Sequence, residues 1–480
     1  MEKALMLART RSGAVMAQSG SGGDAEAATG GMARTIRWYH LLLLCFFWTC
    51  GGPFGIEPAV GAAGPLVTML GLISVGIFWG LPQALISAEL AVMIPDNGGN
   101  FKWVQRAFGP AASALNGYNN MVMALISNAL LIQLVVQYLP TSVELNFAQG
   151  AWLMAGFVAL CLAINLYRPT AVAELNLIIL PLLFVPFVAI AVYAYHTGAG
   201  ESSGIRKSLT TIPPVSEINW SVFLSTILWA ADGYDSSGSA AGEIVGGKRA
   251  FLLGVIGSIP ITLVNYAIPI MLSYSIAPSL ATWNQGGFVN VGYAVSRGCG
   301  VVMVVTSLAS VFGQLNSALV PNARVVWATA LADDPRHRLL PRLLSYSYRS
   351  RSGVVRPLVA IMATALAALV VALAPFQIVV ESYLYFRLVN LGFEYASLIA
   401  LRINEPETPR EMRIPGGLLV CFVFCLPLLG VAGILLATST TEAMAVGIGA
   451  QFVFAGAYAV RWHQARAMRS AAEARPLLGK

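Results

Sequence analysis

The chain has 480 residues, of which 57% are hydrophobic and only 11% are charged. A soluble protein carries about a quarter charged residues, so this composition excludes an ordinary soluble protein and indicates an integral membrane protein. The net charge of +7 comes from Lys and Arg residues that flank apolar runs, and it therefore indicates membrane topology and no binding of nucleic acid.

The N-terminal part of the chain contains a tail and an interrupted first span. Residues 1–34 are rich in Gly, Ala and Ser and lack a long apolar core, which predicts a disordered cytosolic tail and no signal peptide. The first apolar run begins near Tyr39 and is broken at Gly51-Gly52-Pro53-Phe54-Gly55, which Ile56-Glu57-Pro58 follows. Glycine and proline at this density disrupt a regular helix, so a discontinuous first span is predicted.

Four apolar stretches follow, at about 65–94, 111–139, 151–167 and 173–195. Each approaches the length of about 20 residues that a helix needs to cross a bilayer. Glu89 lies near the end of the second span, and Asn128 lies in the third. Hydrogen bonds between helices explain an asparagine in such a position as well as a contact with substrate does.

The sixth span contains the least membrane-like stretch. Its apolar run, 220–231, leads into the polar and small residues Asp232, Gly233, Tyr234, Asp235, Gly238 and Glu243. An ionised Asp at the bilayer centre costs about 2.5–3.5 kcal/mol, so such groups face a partner or a water-filled cavity. Irregular backbone at this depth persists only where protein or a cavity satisfies it. A broken helix that carries acids at mid-membrane indicates a cation site.

Six further spans bring the predicted total to twelve, at about 251–276, 295–331, 357–373, 376–401, 417–437 and 441–460. With the N-terminus in the cytosol, most of the 29 Lys and Arg residues fall on the cytosolic side, and only Arg206, Lys207 and Arg297 fall outside. Residues 463–480 are then a cytosolic C-terminal tail.

The two interrupted spans, one and six, are five apart in order. This spacing is typical of transporters made of two inverted repeats, which bind substrate at the discontinuous helices near the midplane. Half-helix ends there offer carbonyls that suit cations and amides, such as those near Gly51 and Gly52, that suit a substrate carboxylate. The backbone pattern is therefore compatible with either an amino acid or a polycation as substrate.

The chain resembles the amino acid–polyamine–organocation superfamily in its first two spans, at 51–57, 61–65, 88–89 and 95–99. Within it, the chain is most similar to the polyamine–proton symporters of plants and trypanosomatids. That similarity is carried by Trp229, Asp235, Ala241-Gly242-Glu243, Glu381, Phe393-Glu394-Tyr395, Leu401-Arg402 and Arg413-Ile414-Pro415. It covers about residues 38–440.

The resemblance implies an all-α integral membrane fold of twelve transmembrane helices, with a LeuT-like five-plus-five inverted repeat and discontinuous helices 1 and 6. The transporter domain is then 35–462, with repeats at about 38–195 and 219–402 and helices 11 and 12 at about 417–460. It also implies proton-driven import of putrescine- or spermidine-like cations across the plasma membrane, with both termini cytosolic. Protons are the coupling ion and no cofactor is expected. The expected partners are a small cationic substrate and the lipid bilayer, while no oligomeric state is predicted.

Carried over residue by residue, the resemblance implies functional carboxyl groups at Glu57, Glu89, Asp235, Glu243, Glu381 and Glu394, and an aromatic wall at Trp229. The chain departs from the plant pattern at three positions. Tyr234 stands where Trp is frequent, Asp232 where Asn is frequent, and Ser127 where plant members often place an acid.

The candidate substrate-binding residues are Asp232, Asp235, Tyr234, Trp229, Glu243, Glu381, Gly51, Gly52 and Asn128. Asp232 and Asp235 either bind one ammonium group or face opposite ways, and one of them could instead cap a half-helix. Glu243 follows Asp235 by about 12 Å along an α-helix, which suits a long dication unless Glu243 pairs with Arg324 or Arg387. The aromatic rings offer cation–π contacts of about 0.5–2 kcal/mol or simply pack against neighbouring spans.

Three carboxyl groups are candidates for proton coupling or gating: Glu89, Glu57 and Glu394. A desolvated carboxyl such as Glu89 can hold a proton near neutral pH, but an ion pair with Lys102 or Arg106 is the favoured alternative. Glu57 either guards the outer mouth or caps a helix. Glu394 is functional or pairs with Arg387 or Arg402.

Other classes of function are disfavoured. The histidines are dispersed, and neither a metal-binding pair nor a phosphate-binding glycine loop occurs, which argues against an enzyme and against ATP-driven transport. The six cysteines lack framework spacing, so neither a disulfide nor a metal site is predicted. A cation channel and a non-transporting sensor remain alternatives, and a transporter of arginine or lysine is the closest one.

Overall fold

A computed structural model gives the fold, and it describes residues 36–95, 99–140, 142–167, 170–198, 210, 212–330, 340–349 and 355–474. The predicted N-terminal tail, 1–34, lies outside these residues, as do residues 96–98 of the stretch 95–99 and the last six residues of the predicted C-terminal tail. The described chain is helical, except for a short antiparallel hairpin of β1 (Tyr348–Arg349) and β2 (Val355–Arg356) in the basic loop.

The first half of the chain contains the helices α1 to α9. They are α1 (Trp38–Thr49), α2 (Glu57–Ala63), α3 (Pro65–Val75), α4 (Leu81–Met93), α5 (Asn100–Phe108), α6 (Pro110–Gln137), α7 (Phe147–Tyr167), α8 (Thr170–Leu182) and α9 (Val185–Thr197). A π-helical turn, Gly76–Gly80, joins α3 and α4 into one rod. The first span is thus interrupted between α1 and α2, at the glycines and prolines of the sequence.

The second half contains α10 to α18. They are α10 (Trp220–Ala230), α11 (Gly247–Phe251), α12 (Gly257–Ile276), α13 (Gly287–Val295), α14 (Arg297–Ala330), α15 (Leu358–Val371), α16 (Phe376–Asn404), α17 (Gly417–Thr438) and α18 (Thr441–Ala474). A 3₁₀ helix, Tyr234–Glu243, follows α10, and a π-helical turn, Leu252–Ile256, joins α11 to α12. The sixth span is therefore also interrupted.

The order of elements in the first part of the chain recurs in the second. In each, a broken helix precedes a rod with a five-residue π-helical turn, and a nine-residue helix then leads into a long one. The nine-residue helices are α5 and α13, and the long helices are α6 and α14.

The outer surface of the helical bundle is apolar. Nine helices of the described residues are long and apolar enough to cross a membrane. Two of them, α17 and α18, have only 17% of their most apolar 18-residue stretch buried inside the protein. Leu419 is 73% exposed and Phe452 is 75% exposed, which favours contact with lipid over contact with water. The protein is thus a multi-pass membrane protein.

The predicted number of twelve spans is not tested by these lengths. Three predicted spans do not count among the nine helices: the two interrupted ones and the ninth. The ninth corresponds to α15, which has 14 residues. Regular helices of that length are shorter than the bilayer core, so the number twelve stays a prediction.

The core that positions the candidate site lies around α16. This helix packs against α6, α5, α17, α18 and α10, while the 3₁₀ helix packs against α4 and α1. Gly51 and Gly52 have φ of +53° and +146°, and a side chain at either would collide with Gln314 or Ser310 of α14. The break in the first span is therefore held against α14 by backbone that only glycine adopts easily.

Candidate functional site

The break in the sixth span sets two aspartates at the same depth. α10 ends at Ala230, whose carbonyl accepts a hydrogen bond from the Tyr266 hydroxyl at 2.9 Å. Gly233 then adopts a left-handed conformation with φ of +104°, where a side chain would approach the Trp48 carbonyl. This sharp turn, which favours glycine, lets Asp232 and Asp235 point toward the same neighbouring helix.

Both aspartates bind one guanidinium, that of Arg387 in α16. Its Nε lies 2.7 Å from Oδ2 of Asp232, and its Nη1 and Nη2 donate to the two carboxylate oxygens of Asp235 at 2.9 and 2.6 Å. Nη2 also donates to Oε1 of Gln83 at 2.9 Å, and the Tyr383 hydroxyl donates to Asp232 at 2.6 Å. The Arg387 side chain is only 2% exposed, so these charge-assisted bonds act in a desolvated environment where they are strong.

Of the two arrangements expected for Asp232 and Asp235, the structure has the convergent one. In this structure the cation between them is a guanidinium of the protein itself. A contact of either aspartate with a substrate ammonium group stays a prediction. Arg387 was considered only as a partner of Glu243 or Glu394. A better signal was available, because an arginine inside a span needs an acidic partner at its own depth and the break supplies two.

Glu394 lies about two helical turns beyond Arg387 on α16. Its side chain is fully buried, and among the described residues neither carboxyl oxygen has a hydrogen-bond partner. The Asp235 carboxyl is near enough to share a hydrogen bond with it if one of the two carries a proton. The alternative pairing with Arg387 or Arg402 is not formed, since those guanidinium groups bind the aspartates and Glu89.

Glu243 is separated from the two aspartates. The segment that follows Asp235 is a 3₁₀ helix and not the α-helix assumed from the sequence. Its rise of about 2.0 Å per residue places Glu243 about 16 Å beyond Asp235 and not about 12 Å. The Glu243 carboxylate accepts a hydrogen bond from Arg324 of α14 at 3.2 Å, which is one of its two expected alternatives.

Glu381 connects three helices. Its carboxylate accepts hydrogen bonds from Ser221 of α10 at 2.9 Å, from Gln377 of α16 at 2.7 Å, and from both the amide and the hydroxyl of Thr440 at 2.8 and 2.7 Å. Thr440 immediately precedes α18. These hydrogen bonds connect the start of α18 to α10 and α16, so Glu381 has a structural role. A contact of Glu381 with substrate stays a prediction.

Glu89, at the end of α4, lies in a second buried ion pair. Arg402 of α16 donates to both of its carboxylate oxygens, and the Ile414 amide donates to it at 2.7 Å. The expected pairing with Lys102 or Arg106 is wrong, because Glu89 pairs with Arg402 and, at 3.6 Å, with Arg410, while Arg106 pairs with Glu405 at 2.6 Å. The sequence could not show this, since Arg402 and Glu89 meet only through the packing of α16 near α4.

The first break contributes Glu57 and two glycines. Glu57, at the start of α2, accepts hydrogen bonds from the Gly55 amide at 2.7 Å and the Tyr138 hydroxyl at 3.2 Å. The Gly51 amide donates to the Phe46 carbonyl at 2.9 Å, so it terminates α1. This amide is therefore already used by the protein, and the expected carboxylate site at the glycines would depend on Gly52.

The remaining candidates lie in packed positions. The Trp229 ring covers Gly55 and meets Phe376 edge to face, with 6.1 Å between ring centroids. The fully buried Tyr234 ring packs on Gly80. Asn128 accepts a hydrogen bond from Asn322 at 2.9 Å, as expected for a polar link between helices. The proposed substrate contacts of these three residues stay predictions.

Comparisons with known proteins agree with this architecture. The family model of the amino acid permeases matches residues 41–457 of the chain. The polyamine transporter PUT1 of Oryza sativa subsp. japonica is 27% identical over 433 residues, which are 89% of this chain and 78% of the relative. The polyamine transporter RMV1 of Arabidopsis thaliana is 24% identical over 90% of this chain and 86% of its own length. The chloroplastic cationic amino acid transporter 7 of Arabidopsis thaliana is 24% identical over 60% and 52%.

Proposed function

Since this chain belongs to the amino acid permease family, we propose that it imports polyamines in symport with protons, by alternating access. The members of this family and the relatives that match the chain are transporters, so the protein is a membrane transporter and not an enzyme. The observation that carries the substrate class is the pair Asp232 and Asp235, whose carboxylates, 1% and 11% exposed, converge on one point inside a broken span.

The charge of this cluster favours a cationic substrate. Asp232 and Asp235 carry two negative charges and Arg387 carries one positive charge, so at least one negative charge is left over in a desolvated site. Burial of an uncompensated charge is costly, and an ammonium group is a suitable compensating ion. Relatives that carry the name polyamine transporter match most of the chain, which supports the polyamine over other cations.

The cationic amino acid transporter is the second candidate, because a relative of that name also matches. An amino acid additionally needs a group that binds its α-carboxylate. The Gly51 amide ends α1 and is not available for this purpose, which leaves only the Gly52 amide of the two glycines to bind that carboxylate. A polyamine has no carboxylate and needs only acids, which the described site supplies.

We infer twelve spans in a five-plus-five inverted repeat, and the recurring order of elements supports this arrangement. The breaks before α2 and after α10 occupy the same place in that order, as do the two π-helical turns and the nine-residue helices. Transporters of this construction hold substrate between their discontinuous helices and expose it alternately to either side. The carboxylates of the second break would then lie at the centre of the movement.

Uptake by the purified protein in proteoliposomes tests the function. Radiolabelled putrescine and spermidine are expected to enter in a saturable way that an inward proton gradient accelerates, and unlabelled arginine and lysine are expected not to compete. Liposomes without protein are the control. Competition by arginine without polyamine uptake would leave the amino acid carrier, and uptake that ignores the proton gradient would remove the coupling.

The proposed topology places both termini and the basic loop 332–355 in the cytosol of a cell whose plasma membrane holds the protein. The excess of Lys and Arg in these segments supports it. An epitope inserted in loop 332–355 is expected to bind antibody only after the cells are permeabilised, whereas one inserted in loop 196–219 should bind on intact cells. Surface labelling of the basic loop would reverse the orientation.

A further inference from the structure

The carboxyl group of Glu394 is the least satisfied acid of the bundle. Among the buried carboxyl groups of the described residues, it alone accepts no hydrogen bond at either oxygen. The charged and titratable groups around it are Asp235 and Asp232 from the broken span, and Arg387 and Tyr395 from its own helix. Both neighbouring acids are bound by Arg387, so Glu394 faces a carboxylate that is itself already paired.

An ionised Glu394 would be unfavourable in this position. The guanidinium of Arg387 directs Nε to Asp232, Nη1 and Nη2 to Asp235, and Nη2 also to Gln83, and it gives no hydrogen bond to Glu394. A buried charge without donor or counter-ion carries a desolvation penalty of several kcal/mol. Two adjacent carboxyl groups avoid this penalty by sharing one proton. A protonated Glu394 becomes a donor, and Asp235 is the acceptor beside it.

The other buried acids are arranged differently. Glu89 is held by Arg402 and by the Ile414 amide, and Glu381 accepts four hydrogen bonds. Glu57 accepts bonds from an amide and from a tyrosine hydroxyl. Donors of this kind stabilise the ionised carboxylate. Of the three candidate acids for proton coupling, Glu394 is thus the one whose two oxygens both lack a hydrogen-bond donor among the described residues.

We propose that Glu394 carries the coupling proton of this transporter and holds it against Asp235 while substrate occupies the aspartate site. The inference rests on the proposed function and names the residue responsible for its coupling. The proton comes from water on the outer side, forms the O–H bond of the Glu394 carboxyl group, and is released to water on the inner side when that bond breaks. No electrons are transferred.

The charge balance explains why substrate and proton would move together. With Glu394 protonated and one ammonium group of the polyamine at the aspartates, the charges of Asp232, Asp235, Arg387 and that ammonium group sum to zero. The other ammonium group of the polyamine is not part of this cluster and needs a separate acid. With ammonium bound but Glu394 ionised, the same cluster keeps a net negative charge. A neutral cluster is less costly to enclose in the bilayer than a charged one. The transporter that carries both the substrate and the proton on Glu394 is therefore the form that closes and opens to the other side of the membrane.

Replacement of Glu394 by glutamine tests the proposal, because the amide has the size of the protonated carboxyl and can donate to Asp235 in the same way. In proteoliposomes, Glu394→Gln is expected to retain exchange of external labelled putrescine against internal unlabelled putrescine. It is expected to lose accumulation driven by an inward proton gradient. Accumulation equal to that of the wild-type protein would overturn the proposal.

A chemical measurement on the unmodified protein complements this experiment and does not depend on transport. Dicyclohexylcarbodiimide reacts with protonated carboxyl groups in apolar surroundings, and mass spectrometry locates the adduct. Glu394 is expected to be labelled at neutral pH and less so as the pH rises, and Glu89, which is ion-paired, serves as the unlabelled control. Absence of the Glu394 adduct at every pH would overturn the proposal, also if Glu394→Gln fails to fold. If wild-type protein carries no polyamine but is labelled, the proposed function fails while the protonated Glu394 stands.

Discussion

Asp235→Asn is expected to lower kcat/KM for putrescine by about two to three orders of magnitude, which corresponds to about 3–4 kcal/mol for the loss of one partner of a charge pair with the substrate ammonium group. The carboxylate accepts two hydrogen bonds from Arg387 and supplies the charge that the cluster has in excess. With an amide in its place, Asp232 and Arg387 balance each other and no net charge is left for an ammonium group. Initial rates of labelled putrescine uptake in proteoliposomes measure the loss.

Glu243→Gln is the matched control for this variant. Glu243 belongs to the same broken segment but lies beyond it and pairs with the partly exposed Arg324, whose side chain is 31% accessible. Pairs of this exposure contribute about 0–1 kcal/mol, so uptake is expected to stay near that of the wild-type protein. Equal losses in the two variants would show that the whole segment, and not the aspartate site, is responsible. Normal uptake by Asp235→Asn would exclude Asp235 as a substrate contact.

Arg402→Ala is expected to destabilise the protein by about 3 kcal/mol, because it removes the guanidinium that binds both oxygens of the buried Glu89 carboxylate and leaves only the longer contact with Arg410, at 3.6 Å. The Arg402 side chain also donates to the carbonyls of Gly417 and Ile414, so its removal frees the segment between α16 and α17. Thermal unfolding in detergent, followed by tryptophan fluorescence, is expected to show a much lower melting temperature than that of the wild-type protein.

Two further variants decide whether the charge is the cause. Arg106→Ala removes an exposed pair with Glu405, which contributes about 0–1 kcal/mol, and the melting temperature should change little. The hydrogen bond from Arg106 holds the pKa of Glu405 below its usual value, so what this pair contributes is present at neutral pH and is lost as the pH falls through that lowered pKa. Glu89→Gln combined with Arg402→Met removes the carboxylate together with its bidentate partner and is expected to recover part of the stability, while Arg410 keeps its hydrogen bonds to the carbonyls of Leu401 and Glu405. A double variant as unstable as Arg402→Ala would contradict the role of the unpaired carboxylate.

Several features of the site followed from the residue pattern. An acid within a membrane span is rare and costly, so Asp232 and Asp235 were recognisable as candidate substrate contacts and Glu394 as a separate candidate for proton coupling. Glycines at 51, 52 and 233 indicated where the helices break. The pair Glu243 and Arg324 was one of two expected alternatives. These inferences need only the cost of charge in lipid and the backbone preferences of single residues.

The partners of the acids were not recognisable in the same way. Glu89 was expected to pair with residues near it in the sequence, yet it binds Arg402, and Asp235 binds Arg387 from a helix more than a hundred positions away. The length of the segment after Asp235 was also misjudged, because a 3₁₀ helix rises further per residue than an α-helix. No local pattern distinguishes these choices.

The sequence by itself determined that the protein crosses a membrane many times, that its first and sixth spans break, and that acids lie inside the bilayer. The amino-acid composition and the backbone preferences of single residues decide those properties, and both are visible in the sequence without knowledge of any tertiary contact. Only the tertiary structure decided that Asp232 and Asp235 converge on Arg387, while no described residue donates a hydrogen bond to Glu394. Which acid receives a guanidinium depends on how α16 is rotated against the broken span, and that rotation results from the packing of the whole bundle.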